Sequence, residues 1–319
     1  MLDMGLVGGR RGSALALVAA LAGAALTGCA DTVDGARTVQ THLGRVHEVV
    51  AVQVTPPTPD HAPAIRVTYG ARIDSPTTLG DLVDEVEKVA DRLDYPARRV
   101  TLVPADAPTS ALTVGSDLGD GAARTDALTT WFAVTTALLG PVTYDVERDA
   151  ETITVTSGGG AAHDVAEAQR IGRGGSRTTW VFRAGSSTFT AGGRLRPSDV
   201  ALFQAVQRNA GVSGQPVWAK AWQLDRRGTH VRLDLDLAFG TALVAPAQLT
   251  TARYGRTVAP TARVSLVALA RTGLPAMLSL HCGSDTFAAW ESGQPPGQGR
   301  DPLGRGWDPW LAQQAAAVT

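Results

Sequence analysis

The chain has 319 residues, with 29 Lys and Arg against 30 Asp and Glu, a formal net charge of −1 and a mean hydropathy of +0.00. Hydrophobic residues at 44% are too many for a disordered chain, and charged residues at 18% too many for a multi-span membrane protein. The balanced charge argues against a dedicated nucleic-acid binder, which carries a basic excess.

The N-terminus opens with a sorting pattern. Arg10 and Arg11 precede Ala14–Leu26, an unbroken apolar run of 13 residues. A helix needs roughly 20 residues to cross a bilayer core of ~30 Å, so the run reads as the apolar region of a secretory signal over residues 1–28. Leu26-Thr27-Gly28-Cys29 follows at once. This stretch resembles the lipobox of bacterial lipoproteins, and the resemblance covers residues 1–29. It implies cleavage before Cys29, a diacylglyceryl group on the Cys29 sulfur and an extracytoplasmic protein anchored to the cell membrane. Gly12, Ser13 and Ala14 depart from the twin-arginine export pattern, so the general secretory route is expected. Lipidation of Cys29 leaves Cys282 alone, which excludes an intramolecular disulfide and a multi-cysteine metal site. Residues 29–41 read as a polar tether, and Ala30–Thr41 can extend at most ~43 Å.

Only Lys88 and Lys220 are lysine among the basic residues. The arginines are scattered, which is the composition of a GC-rich, actinobacterial-type genome rather than an anion-binding cluster.

In chain order, β-rich segments at Val46–Val54 and Ala64–Ile73 flank a Pro-rich loop. Ser75-Pro76 then reads as an N-cap followed by Pro at the first helical position. Leu79, Leu82, Val83, Val86, Val89, Ala90 and Leu93 recur at threes and fours, with acidic residues on the other side, which predicts an amphipathic helix. The theme returns with strands near 99–103 and 111–115 and a helix over 125–139, with Leu128, Trp131, Phe132, Leu138 and Leu139 on its core face. Strands near 142–147 and 152–156 precede a helix over 161–171; strands near 178–184 and 187–191 precede a helix over 198–210. Strands near 216–224 and 229–237 lead to a short helix near 246–252, and strands near 262–269 and 276–282 to a helical piece near 284–292.

The predicted fold class is therefore α+β: repeated β-β-α units forming antiparallel sheets with helices on one face. In a shifted frame the same string gives β-α-β-β-α-β, which suggests tandem ferredoxin-like plaits, with one continuous sheet as the competing arrangement. The expected domains are residues 42–173 and 174–292, followed by a Gly/Pro-rich arm over 293–319 that ends in a short helix.

Catalytic signatures are sparse. The sequence contains no G-x-S-x-G elbow, phosphate loop, H-E-x-x-H or paired C-x-x-C. Gly172-Arg173-Gly174-Gly175-Ser176-Arg177 follows a helix instead of a strand, so it reads as a loop. No metal site and no cofactor is expected.

Three constellations remain. In Trp218-Ala219-Lys220-Ala221-Trp222, strand alternation puts Trp218, Lys220 and Trp222 on one face, where two indoles flanking an ammonium suit a sugar or aromatic ring; burial under a helix is the competing reading. In Arg232-Leu233-Asp234-Leu235-Asp236-Leu237, the leucines face inward; two carboxylates ~7 Å apart suit a cation or an acid–base pair, and a solvated face with Arg232 pairing its neighbour is the preferred reading. His281-Cys282 with Asp285 lies at a strand end, where adjacent side chains diverge and leave the thiol without a local base. In the C-terminal arm, Trp307 and Trp310 have too few apolar neighbours to be buried locally. They are expected to dock on the body, a partner or a membrane interface.

The sequence favours a non-catalytic binding or structural module of the cell envelope, tied to the membrane through the lipid on Cys29, with an unknown envelope partner or ligand and no nucleic acid. The alternatives are an envelope hydrolase whose residues converge from separate units, and a carrier of an apolar ligand.

Overall fold

Apolar residues alternate along each pair of β-rich segments, so a hairpin buries one face and needs a helix to cover it. A computed structural model describes residues 33–96, 99–115, 121–210, 217–240, 248–295 and 306–318. The signal region, the lipobox with Cys29 and residues 296–305 of the arm lie outside the described residues. The chain divides into two compact units, one running to Pro108 with Val114–Asp117, the other made of Thr109–Thr113 and the chain from Leu118.

The first unit begins with helix α1 over residues 33–43. Ala36, Val39 and Leu43 form a buried stripe at helical spacing, with Val39 and Leu43 fully buried. Much of the expected tether is therefore folded, because this stripe recovers more by packing than by staying in water. Strands β1 (Val49–Thr55) and β2 (Ala64–Tyr69) pair antiparallel. Helix α2 (Pro76–Arg92) crosses to β3 (Arg99–Pro104), which lies parallel to β2. Ser75 caps α2 in a capping box with Thr78, Pro76 opens the helix, and Leu79, Leu82, Val83, Val86, Val89 and Ala90 are buried. Beyond its C-terminus, the Tyr95 hydroxyl donates to the Thr55 carbonyl at 2.7 Å, tying the helix exit to β1. Strand β4 (Ala111–Gly115) is divided between the two units.

The second unit repeats the same logic. Its elements are α3 (Ala122–Ala137), β5 (Val142–Val146), β6 (Glu151–Ser157), α4 (Ala161–Ile171), β7 (Thr178–Ala184), β8 (Ser187–Gly192) and α5 (Pro197–Ala210). They continue with β9 (Trp218–Arg226), β10 (Val231–Ala238), α6 (Thr251–Ala270), β11 (Ala276–Cys282), β12 (Asp285–Glu291) and α7 (Trp307–Ala316). Strands β5 to β12 follow chain order in the sheet. Hairpins are antiparallel and every crossover makes a parallel pair, β6 with β7, β8 with β9 and β10 with β11. Consecutive helices from α3 to α7 pack on one another, forming a single layer. Crossovers of one hand, repeated in one direction, return each helix to the same face.

The class is α+β, with corrections. The sheet is mixed, because each helix returns the chain in the direction of the strand it left. Sequential pairing also differs from the interleaved order of a ferredoxin-like plait. The expected boundary at 173/174 falls between β6 and β7, which pair along their length in the second unit. Residues 262–269, expected as a strand, lie within α6, where Val258, Ala262, Leu266 and Leu269 form the buried stripe despite Pro260 inside the helix. Residues 285–291, expected as helix, form β12. Leu139 lies past the end of α3 and is exposed, so it leaves the expected core face.

An aromatic chain fills the core: Trp180, Phe182, Phe189, Phe203 and Trp222 stack in sequence at centroid spacings of 5.5–6.0 Å. Three helices also carry a buried carboxylate in their first turn. Asp164 of α4 accepts from Leu139 N at 2.7 Å and from Ser157 Oγ at 2.5 Å. Asp199 of α5 accepts from Arg196 N at 2.7 Å and from Arg226 Nη2 at 2.8 Å. Asp308 of α7 accepts from Ala289 N at 2.8 Å. Gly140 fits this scheme for want of a side chain, since a Cβ there would stand 2.7 Å from the Thr156 carbonyl oxygen and 3.1 Å from Asp164 Oδ2. Among the described residues, no helix is long and apolar enough to cross a membrane.

Val86 is fully buried, so Val86→Asp should cost several kcal/mol and unfold the first unit, checked by loss of tertiary circular dichroism. The Asp199–Arg226 pair is 5% exposed on each side, so Asp199→Ala should cost about 3–5 kcal/mol in urea unfolding by stranding a buried guanidinium. Asp199→Leu with Arg226→Met should recover most of that loss.

Candidate functional site

With the helices on one side, the other face of the β8–β11 sheet is left uncovered, and its side chains are polar. In β10, Leu233, Leu235 and Leu237 are buried under the helices, while Arg232, Asp234 and Asp236 point to the open face. Parallel pairing with β11 sets Asp234 beside Ser279 and Asp236 beside His281. Antiparallel pairing with β9 sets Gln223 beside Asp234 and Asp225 beside Arg232. Side chains from all three expected constellations therefore meet here: Lys220 from the first, Arg232, Asp234 and Asp236 from the second, and His281 from the third.

The contacts form two chains. Lys220 Nζ stands 3.1 Å from Asp236 Oδ2, and Asp236 Oδ1 accepts from Gly283 N at 3.0 Å. Arg232 Nε donates to Asp234 Oδ2 at 2.8 Å. Asp234 Oδ1 lies 3.5 Å from His281 Nε2, while His281 Nδ1 is 3.0 Å from Thr286 Oγ1. In the neutral tautomer with the proton on Nε2, the ring donates toward Asp234 and accepts from the Thr286 hydroxyl. Burial pushes the Asp234 carboxyl upward, but hydrogen bonds from His281, Arg232 and Ser279 and the Arg232 charge outweigh it and hold the group below its ordinary range. Burial first, then the Asp236 and Asp285 carboxylates, raise the Cys282 thiol against the opposing pull of Lys220, so the sulfur stays protonated and is a poor nucleophile.

Two depressions share Gln223, Arg232 and Asp234 and so form one trough across β8–β11. One, of about 280 Å³, reaches Asp236, His281 and Gly283. The other, of about 460 Å³, reaches Thr188, Thr190, Asp225 and Arg227. Asp225, Asp234 and Asp236 are interspersed with Arg227 and Arg232 along it, so it offers donors and acceptors in close succession.

Trp218, Lys220 and Trp222 do not share a face. Register passes from Ala221 opposite Asp236 to Ala219 opposite Leu237, which makes β9 bulge at Lys220. The extra residue shifts the alternation by one, leaving Trp218 half-buried, Lys220 exposed and Trp222 in the core against Phe203. Trp307 is fully buried against Phe287, with its indole N–H donating to the Leu249 carbonyl at 2.9 Å. Trp310 packs edge-on against Trp307 and over Gly255. The Trp222 and Trp307 indoles thus serve the core. Cys29 lies outside the described residues. Gln223, Ser279 and Thr286 escaped the sequence reading, because only the fold brings Gln223 to the trough, Ser279 to Asp234 and Thr286 to His281. Among the described residues, no group of three or more His, Cys, Asp and Glu side chains is placed to hold a metal ion.

The sign of the Asp234 shift predicts an acid-side effect. A carboxyl depressed in the folded state adds stability above its ordinary value of ~3.9, and the gain is lost as pH falls through the depressed value. Asp234→Asn should therefore flatten the acid limb of the urea-stability profile, below the ordinary carboxyl value, and in a carboxyl NMR titration Arg232→Ala should raise the Asp234 midpoint.

No protein-family model matches the chain, and no curated protein or solved structure matches it.

Proposed function

We propose that the protein is a lipid-anchored lipoprotein of the cell envelope, and that its second unit is a non-catalytic binding module working through the trough on the open sheet face. The observation that carries the binding role is the trough itself: polar side chains from β8 to β11, held by one another in an uncovered row. A row fixed by its own ion pairs loses little side-chain freedom on binding, which favours recognition of a polar ligand. The lipobox-like Leu26-Thr27-Gly28-Cys29 supports the anchor. Two or more acyl chains hold a protein at a membrane, whereas one holds it marginally.

A hydrolase is the second reading, favoured by one feature, the Thr286–His281–Asp234 series of hydroxyl, imidazole and carboxylate. In that reading His281 is the base that takes the Thr286 proton. Against it, the Gly283 N–H that faces this region already serves Asp236, leaving it unavailable to a developing oxyanion.

Two variants test the proposal. Cys29→Ala should move the protein from the membrane fraction to the medium or leave it as precursor; unchanged detergent partitioning would overturn the anchor. Lys220→Ala with Arg232→Ala should fold normally and lose retention on isolated, protein-free cell-wall polysaccharide. Retention equal to wild type would remove the trough from the binding role.

A further inference from the structure

Val33, the first described residue of helix α1, follows Cys29 by four residues, and four residues span at most ~14 Å. Its buried stripe, Ala36, Val39 and Leu43, fixes the helix to the first unit, so its outward side chains are held in place. Beside it lies a depression of about 500 Å³, lined by Arg37, Thr41 and Arg45 on one side and by Val54 and Pro56 at the end of β1 on the other. Among the described residues, no carboxylate lines it. Arg45 makes no ion pair among the described residues, and Arg37 reaches only Asp34, at 3.7 Å with both side chains more than three-quarters exposed. Val33, on the same helix, is 46% exposed and also borders the depression.

We infer that this depression seats anionic phospholipid headgroups of the membrane that holds Cys29, so that the first unit lies against the bilayer and does not swing free. The inference rests on the lipid anchor proposed above. Guanidinium groups match phosphate oxygens in a two-pronged geometry, and each arginine near a charged bilayer adds a modest attraction. Two such groups are too few to recruit a free protein, but a tether this short raises the local headgroup concentration to the millimolar range or above. Exposed Val33 then enters the interfacial layer beside them.

The test uses mature lipidated protein with Cys282→Ala and a fluorophore on Gly35→Cys, a position whose side chain would project into open space. The protein is reconstituted in vesicles of phosphatidylcholine alone or mixed with phosphatidylglycerol, each doped with a lipid that carries a quencher at its headgroup. Quenching should be about twofold stronger with phosphatidylglycerol, and Arg37→Glu with Arg45→Glu should abolish the difference while the protein stays vesicle-bound. Equal quenching in both vesicles by anchored protein would overturn the headgroup site and leave the anchor standing. Protein purified from membranes without the diacylglyceryl mass on Cys29 would overturn both.

Discussion

A buried carboxylate at the start of a helix is the constraint on which the second unit depends. Such a charge is costly in an apolar core unless donors surround it, and the first turn of a helix supplies a favourable field for it. Asp164, Asp199 and Asp308 share one device, each taking a backbone N–H from outside its own helix. Asp199 adds the Arg226 guanidinium, which also donates to the Gly192 carbonyl at 2.7 Å, so one contact joins the entry of α5 to the ends of β8 and β9. Apolar packing alone tolerates sliding of a helix over a sheet. These directional bonds do not, and they set where each helix begins.

One-sided covering has a further effect. Because every crossover returns its helix to the same layer, the opposite face of the sheet is built from residues that need no burial: threonines across β6 to β8, then charged residues across β9 and β10. Threonine suits such a face, since its branched carbon favours extended backbone while its hydroxyl accepts water. Single charges stand on that face at Asp145 of β5 and Arg183 of β7, but charge becomes dense only toward β9–β11, where cross-strand neighbours of opposite sign stand close enough to pair. The candidate site is the part of that face where charges of opposite sign crowd together.

Local patterns in the chain announced much of this. The α2 stripe was legible because period, cap and initial proline agreed on one helix. The hairpins from β5 to β8 were legible because alternation and turn residues coincided. The final third was harder. Pro260 and the β-branched residues of 262–269 weaken a helical reading, and only burial of Val258, Ala262, Leu266 and Leu269 secures α6. That shift of phase hid the pairing of β10 with β11, and with it the meeting of Asp234 and His281. Lys220 was visible as a lone cation among indoles. Its release from them depends on a bulge, which is a property of the partner strand's register and leaves no mark in the five residues themselves.

Asp308 has a consequence beyond the stability of α7. Ser292 N donates to the Ala276 carbonyl at 2.8 Å, which makes that pair a hydrogen-bonded one and turns the Ala289 N–H away from β11, toward the side where a ninth strand of this unit would lie. A fold that grows by adding hairpin and helix in a fixed direction contains no internal signal to stop, and its last strand would offer a template to any extended chain. By taking the Ala289 N–H, the α7 carboxylate occupies that template. Helix α7 thus packs on the last strand of a propagating architecture and takes one of the backbone donors that a further strand would use.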